Sequence, residues 1–420
     1  MDEGLECAGL SDGRVVSKLV GFFSRQERPF KVNLVRSMAQ NFSISISQQY
    51  QAVYTLALGA TPFQLGLANG VGGIASALIS APAGWLIGKY GIRNMYLVAT
   101  PIWILSSLLF AAATDWLTVI PALFAVSLSM RLMLTSCSMV CGSYLKSEDR
   151  VTGMQLCDTV SSIPRIFAPV LAAYIITLYG GLTAKGIRPV YYLQAAALLV
   201  MLLVVVKWFD DPLRRGARAQ SKGFSENLRQ VFKEGTCVWT WTVFTVISTI
   251  GMAMGMTFVS VYAQQIKSAD QFLLGNMASI SVVIPLLLSL AVGRLADVIG
   301  RKRTLLMLTP VYALNYVLLL VASSPLLLLA SGFFQGFGML IWITENAVEA
   351  ELIPLPLLAG WFGFLGLFRG FASVGGPVLG GMLWSGLGPE TVFYTLILLE
   401  AAKMAILLRM PETLKKRDLA

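Results

Sequence analysis

The sequence predicts an all-α membrane protein with twelve transmembrane helices, built as two pseudo-symmetric halves of six. Three observations lead to this prediction. Of the 420 residues, 56% are hydrophobic and only 13% are charged, whereas soluble domains carry about 25% charged residues. Apolar runs of about 20 residues recur along the whole chain, and each is long enough to cross a hydrocarbon core of ~30 Å. The third observation is an internal repeat.

The repeat relates segments that lie half a chain length apart. Gly84 and Gly91 recur 209 residues later as Gly293 and Gly300. A second segment, which contains Pro169, recurs 208 residues later around Pro377. Because two matches fall at nearly the same offset, the chain contains an internal duplication, as many membrane proteins with two similar halves do.

The apolar runs and the repeat together define the domain organisation. We predict an N-terminal segment at 1–30, a first half at 31–209, a linker at 210–236, a second half at 237–410 and a tail at 411–420. The twelve predicted spans are 34–58, 64–87, 95–113, 117–144, 152–178, 190–209, 237–264, 272–294, 304–322, 325–349, 357–385 and 390–409.

The basic residues predict the orientation of the chain. Twenty-five of the 32 lysines and arginines lie in segments on the side of the two termini, and only Lys185, Arg188 and Lys267 lie in loops on the other side. Under the positive-inside rule both termini are cytoplasmic, and we expect a multi-pass protein of the plasma membrane. This distribution accounts for the net charge of +10, so no nucleic-acid partner is predicted.

Composition also argues against a metal site, a cofactor or an enzyme. The chain has no histidine, and its five cysteines are scattered between the N-terminal segment and the predicted spans. It contains no phosphate-binding loop, serine-hydrolase elbow or zinc-protease motif. An intramembrane enzyme would need a nucleophile or metal constellation that the sequence does not offer, and a receptor would bind its ligand without moving it across the membrane.

The segment from Gly293 to Arg303 resembles the loop signature of the major facilitator superfamily, with the pattern G-x-L-A-D-x-x-G-R-K. The resemblance implies a membrane carrier whose two halves rock about a central site. It also implies a conformational latch made by Asp297, Arg301, Arg303 and Glu351. The alternative is that these bases only fix the topology. The first copy of the loop has Gly88 in the position of the acid.

Charged residues at membrane depth are costly and are usually functional. We predict that Arg131 and Arg369 contact the solute and that Glu345 and Asp158 carry protons. The alternative for each is an ion pair that only holds helices together. Glu400 and Lys403, three residues apart in span twelve, are expected to pair within one helix.

In the resembled family, spans one, four, seven and ten line the central cavity. In this sequence those spans carry many polar side chains, whereas spans three, six and nine are almost purely apolar. Hydrogen bonding between helices would not by itself predict this sorting. Besides Arg131 and Arg369, the predicted solute-binding residues are Asn41, Ser45, Gln48, Trp241, Gln335, Trp342 and Asn346.

These observations predict a secondary active transporter, a symporter or an antiporter, that moves a small polar or anionic solute by alternating access with coupling to protons. The alternative is a proton-coupled exporter of lipophilic compounds and drugs, favoured by Glu345, the tryptophans and the 17 methionines. The exporters of the family carry glycines in span five where this chain has Ala172 and Ala173. We expect a monomer whose partners are the small-molecule solute, protons and the lipid bilayer, and which uses no cofactor.

Overall fold

The computed structural model of the protein describes residues 28–144, 157, 159–209, 232, 237–353 and 357–412. These residues are almost entirely helical and include no strand. The described part contains thirteen helices, two of which run in sequence as a single span. The predicted all-α fold with twelve spans in two halves is confirmed.

In the described part of the first half, six helices cross the bundle in alternating directions. They are α1 (Arg28–Ala57), α2 (Pro62–Tyr90), α3 (Ile92–Ala112), α4 (Val119–Tyr144), α5 (Pro164–Leu178) and α6 (Ala184–Trp208). The end of the bundle at which α1 begins is called the terminal end, and the other is called the far end.

The second half repeats this arrangement. Its helices are α7 (Val238–Gln265), α8 (Gln271–Ile299), α9 (Arg301–Val321), α10 (Pro325–Gln335), α11 (Phe337–Glu351), α12 (Leu358–Leu387) and α13 (Pro389–Arg409). Helices α10 and α11, with Gly336 between them, together form the tenth span, so α12 and α13 are spans eleven and twelve.

Ten of the described helical segments are long and apolar enough to cross a membrane, and Val119–Met133 in α4 is a shorter apolar segment. Helix α1 is not among the ten because it carries many polar side chains. It also begins earlier than predicted and buries Arg36 completely. The guanidinium bonds to Asn33 (3.0 Å) and Ser37 (2.8 Å) and lies 4.3 Å from the centre of the Tyr96 ring. These contacts let the charge stay inside the bundle.

The two halves pack closely along α2 and α12, where small residues face each other. A methyl group on Gly73 would lie 2.8 Å from the Ser373 hydroxyl, and one on Gly370 would clash with Ala77. Only glycine therefore allows these backbones to approach so closely, as is common between helices in membranes.

At the far end the halves are joined by hydrogen bonds as well. The Tyr50 hydroxyl lies 2.9 Å from the carbonyl oxygens of Pro169 in α5 and Gln271 in α8. The Gln271 amide donates to the Thr177 hydroxyl at 2.8 Å. A side chain on Gly275 would meet both Tyr50 and Pro169. The structure is therefore one in which the halves meet at the far end.

Candidate functional site

The tenth span places two carboxyl groups inside the second half. Glu345 and Glu349 lie one turn apart on α11, with exposed fractions of 5% and 0%. The Ser248 hydroxyl of α7 donates to Glu345 at 2.9 Å. Arg369 of α12 forms an ion pair with Glu349. Because one partner of this pair is fully buried, removing the other would leave a buried charge without compensation.

Helix α13 adds a third carboxyl group and a lysine. The Lys403 ammonium lies 2.7 Å from a carboxylate oxygen of Glu400, and both side chains are 4% exposed. The predicted pair within one helix is therefore confirmed. Lys403 also lies close enough to Glu345 to attract its carboxylate. We call Glu345, Glu349, Arg369, Glu400 and Lys403 the charged cluster.

The sequence did not reveal that Glu400 and Lys403 belong to this cluster. Tyr312 of α9 lies between them and the tenth span, with its ring centre 6.0 Å from the Lys403 ammonium. Its hydroxyl is 2.8 Å from that of Tyr316. Although span nine is almost purely apolar, its few polar groups lie inside the bundle, beside the charged cluster. Two tyrosines one turn apart on the same face were the available signal.

Arg131 of α4 approaches the charged cluster from the other half. Its Nε donates to the Ser80 hydroxyl of α2 at 2.9 Å. One guanidinium nitrogen lies 3.6 Å from the position that a side chain on Gly366 of α12 would occupy. Arg131 and Arg369 are close enough to repel each other. Two cationic groups from opposite halves thus approach each other beside two buried carboxyl groups.

The predicted solute-binding residues of α1 and α7 lie in different surroundings. Asn41 donates to the backbone oxygen of Ser161 at 2.8 Å, Ser45 is buried, and Gln48 lines a cavity in the first half. Trp241 is 0% exposed, stacks on Phe244 at 4.7 Å, and lies beside Glu349. Asn41 and Trp241 therefore make packing contacts in this state.

The tenth span carries Gln335, Trp342 and Asn346, all of them half-buried. Gln335 is the last residue of α10 and directly precedes Gly336. A side chain on Gly336 would lie 2.5 Å from the Ser281 backbone oxygen of α8, so close packing requires glycine there. Gly336 keeps helical dihedral angles (φ −59°, ψ −27°), so the two helices share one axis through the tenth span.

The loop that carries the repeated motif forms ion pairs at the terminal end. Arg301, the first residue of α9, lies 3.0 Å from Glu351 and 3.6 Å from Asp297. Asp297 is 70% exposed and Arg303 is exposed. These contacts lie within the second half. Asp158, the other predicted proton-carrying residue, lies outside the described residues.

The tail after α13 is attached to the same loop. The Glu412 carboxylate accepts a hydrogen bond from the backbone N–H of Lys302 at 3.1 Å, which places an acid at the positive N-terminal end of α9. The Lys302 ammonium donates to the backbone oxygens of Leu408 (3.2 Å) and Met410 (2.5 Å) at the end of α13. The loop and the tail therefore fix the relative positions of α9 and α13.

Known proteins resemble this chain in sequence and in fold. It is 23% identical over 361 residues to the multi-drug resistance efflux pump PmrA of Streptococcus pneumoniae, and the match spans 84% of this chain and 88% of that protein. It is 26% identical over 238 residues to the multidrug resistance protein MdtG of a Rahnella species, and the match spans 52% of this chain and 54% of that protein.

Two solved structures share the fold. The nucleoside transporter NupG superposes with a TM-score of 0.74 at 16% identity, covering 92% of this chain and 100% of that one. A D-xylose–proton symporter superposes with a TM-score of 0.71 at 12% identity, covering 92% and 98%.

The family model described as the Major Facilitator Superfamily matches residues 34–275 and 243–419, which together include both halves and the loop motif. This match confirms the resemblance carried by Gly293 to Arg303. The chain is a multi-pass membrane transporter and belongs to the major facilitator superfamily.

Proposed function

We propose that the protein is a secondary active transporter for a small anionic or strongly polar solute, coupled to protons. The observation that carries this proposal is the approach of Arg131 and Arg369 from opposite halves, next to the buried Glu345 and Glu349. A negatively charged group placed between the two arginines would relieve their repulsion and would bind both halves at once.

The contacts of Arg369 suggest how binding is linked to movement. In this state its guanidinium is held by Glu349. A solute carboxylate or phosphate would compete with Glu349 for the same donors, since arginine binds such groups through two parallel hydrogen bonds. Protonation of a neighbouring carboxyl group would weaken its hold on the cations. Exchange of Arg369 between Glu349 and the solute would therefore couple binding to the protonation state of the cluster.

Glu345 is the proposed proton carrier. It is buried and accepts a hydrogen bond from Ser248. The Lys403 ammonium lies close enough to attract its carboxylate. A carboxyl group in such surroundings has two accessible states, because desolvation favours the neutral form and nearby cations favour the charged form.

A second candidate function is supported by the comparisons. The curated relatives PmrA and MdtG are named as multidrug proteins, and Trp241, which lies beside Glu349, stacks on Phe244. Under this alternative the protein exports lipophilic compounds in exchange for protons. The two candidates differ in the charge of the solute, and the arginine pair favours an anion.

Transport by purified protein in proteoliposomes tests the proposal. Uptake of radiolabelled small organic anions, neutral sugars and nucleosides is compared with that of lipophilic cations, with and without an imposed pH gradient. Saturable, gradient-driven movement of an anion supports the proposal. Movement of lipophilic cations alone would establish the exporter instead.

We expect cysteine labelling to place the terminal end in the cytoplasm. In a variant whose five cysteines are replaced by serine, Thr114→Cys lies in an exposed loop at the far end and should react with an impermeant maleimide from outside intact cells. Arg303→Cys, exposed at the terminal end, should react only after permeabilisation. Labelling of Arg303→Cys in intact cells would contradict the orientation predicted by the basic residues.

We propose that the loop motif is a conformational latch, and that Arg301 is its centre. Arg301→Gln removes the ion pairs to Glu351 and Asp297 together, whereas Asp297→Asn removes only the longer, more exposed one. Both pairs lie within the second half, so they act on the balance between states by forming in only one of them. An exposed pair is worth about 0–1 kcal/mol, so Asp297→Asn should change this balance less than about fivefold and Arg301→Gln should change it more.

Distances between spin labels on the two halves at the terminal end measure this balance, and transport rates are measured on the same variants. Arg303→Gln is the matched control, because Arg303 is an exposed base of the same loop. If all three variants gave the distance distribution and the turnover of the unmodified protein, the loop would serve only to fix topology.

A further inference from the structure

One face of α7 runs through the interior of the second half beside a row of polar groups. Ser248 on this face donates to the Glu345 carboxylate of α11 at 2.9 Å. A side chain on Gly251, three residues further along α7, would lie 4.0 Å from a carboxylate oxygen of Glu400 in α13. Because residues three apart share a helix face, Glu345 and Glu400 approach α7 about one turn apart.

The row continues for another turn of α7. A side chain on Gly255 would lie 2.8 Å from the Tyr316 hydroxyl of α9, so glycine gives this hydroxyl its space. The hydroxyls of Tyr316 and Tyr312 are 2.8 Å apart, and the charge of Glu400 acts on both tyrosines. Polar groups from α9, α11 and α13 thus meet along α7, and Glu400 lies among them.

The charges at membrane depth in the described part of the second half do not balance. They are three acids and two bases: Glu345, Glu349, Arg369, Glu400 and Lys403. Arg369 pairs with Glu349, and the Lys403 ammonium lies 2.7 Å from Glu400. Glu345 forms no ion pair with the described residues. When Glu345 is ionised, it therefore depends on a cation that already serves another acid.

Lys403 is the cation best placed for that role. It attracts the Glu345 carboxylate more strongly than Arg369 does, although it is paired with Glu400. The ammonium is a compact charge on a flexible stem, so one lysine can serve two carboxylates. The other titratable or polar groups around Glu345 and Lys403 are Ser248 of α7, Tyr312 and Tyr316 of α9, Glu349 of α11 and, beside Arg369, Arg131 of the first half.

Glu400 and Lys403 lie away from the place where a solute would bind. Both side chains are 4% exposed, and they belong to span twelve, which is not among the four spans that line the central cavity in this family. An ion pair buried this completely adds little to the stability of a fold, because desolvation offsets its attraction. Charged residues at membrane depth are usually functional instead.

We propose that Lys403 is a positioning residue of the proton site: its ammonium is the counter-ion that Glu400 and Glu345 share, and it sets the pH range in which Glu345 exchanges its proton with water. This inference rests on the proposed function, in which Glu345 carries the proton. Loss of that proton to water leaves one negative charge, which Lys403 then shares between the two carboxylates. A group on α13 thus controls the coupling step on α11.

Infrared spectroscopy of the purified protein in lipid nanodiscs tests the proposal with protons as the only ligand. The carbonyl stretching band of protonated Glu345 is followed as the pH is raised, and the spectrum of the same protein with Glu345→Gln is subtracted. The pH at which half of the band is lost is the titration midpoint of Glu345.

Two variants separate the effect of the lysine from that of its partner. In Glu400→Gln, Lys403 has lost its other carboxylate, so the midpoint should fall by about one pH unit or more, a roughly tenfold change in proton concentration. In Glu400→Gln/Lys403→Met the attraction is absent, so the midpoint should lie at least about one pH unit above that of Glu400→Gln. The double variant is used because Lys403→Met alone would leave Glu400 buried without a counter-ion.

Lys207→Met is the matched control. Lys207 is an exposed base of α6, the helix of the first half that corresponds to α13 in the repeat, and its removal should leave the midpoint unchanged. The melting temperature of each variant shows whether it is folded.

Two outcomes would overturn the proposal in distinguishable ways. If Glu345 titrates but Glu400→Gln and the double variant share one midpoint, Lys403 is only a packing partner of Glu400, and Glu345 remains the proton carrier. If Glu345→Gln removes no titrating band, Glu345 does not carry protons, and the inference fails together with that part of the proposed function.

Discussion

Replacement of Arg131 by alanine is expected to abolish transport while the protein still folds. Arg131 is half-buried, its Nε donates a hydrogen bond to the Ser80 hydroxyl, and it approaches Arg369 across the interface of the halves. In the proposed complex Arg131 and the anionic solute form a buried charge pair, and loss of one member of such a pair costs about 2–5 kcal/mol. Affinity for the solute should therefore fall by roughly thirtyfold or more. Solute binding and initial uptake rates in proteoliposomes measure this.

Conservative and matched variants decide what the arginine does. Arg131→Lys keeps the charge but cannot donate two parallel hydrogen bonds, so it should restore transport poorly if the solute carries a carboxylate or phosphate. Arg165→Ala is the control, because Arg165 also lies within the first half at the beginning of α5 and should affect affinity much less. Normal affinity and uptake in Arg131→Ala would show that Arg131 only supports the packing of the helices.

The sequence predicted the fold well because the bilayer leaves few alternatives. Every backbone polar group inside it must be satisfied, so an apolar run of about 20 residues becomes a helix. The repeat of Gly84 at Gly293 then divided the twelve spans into halves. These signals depend on composition and spacing alone, and no packing detail is needed to read them.

The partners of individual side chains were much less predictable. The spacing of Glu400 and Lys403 predicted their mutual contact, because both residues lie on one helix. It did not predict their contact with Tyr312 and Glu345, because that depends on how α13 is rotated against α9 and α11. Sequence periodicity defines which residues share a face but not which neighbour that face meets.

The tenth span shows the same limit. Its apolar run from 325 to 349 predicted one span, and Pro325–Glu351 forms one, in which Gly336 keeps right-handed helical dihedral angles (φ −59°, ψ −27°). The sequence did not predict the close approach at that glycine, where the Ser281 backbone oxygen of α8 occupies the space that a side chain would need.

Glu345→Gln is expected to uncouple transport from the pH gradient while leaving solute exchange intact. Glutamine has the shape of glutamate and still accepts the hydrogen bond from Ser248, but it cannot take up or release a proton. A gradient of one pH unit can drive about tenfold accumulation for each coupled proton, since one unit corresponds to about 1.4 kcal/mol. Accumulation by Glu345→Gln should therefore fall from about tenfold to the passive ratio.

Uptake and counterflow in the same proteoliposomes separate coupling from binding. Glu349→Gln should impair both, because it also releases Arg369 from its ion pair. Glu390→Gln should impair neither, because Glu390 is an exposed acid in the first turn of α13 at the far end. If Glu345→Gln accumulated the solute as the unmodified protein does and exchanged it at the same rate, Glu345 would not be the proton carrier. Asp158→Asn and Glu400→Gln would then be the next variants to compare, because they are the other acidic residues within the predicted spans that these experiments leave unchanged.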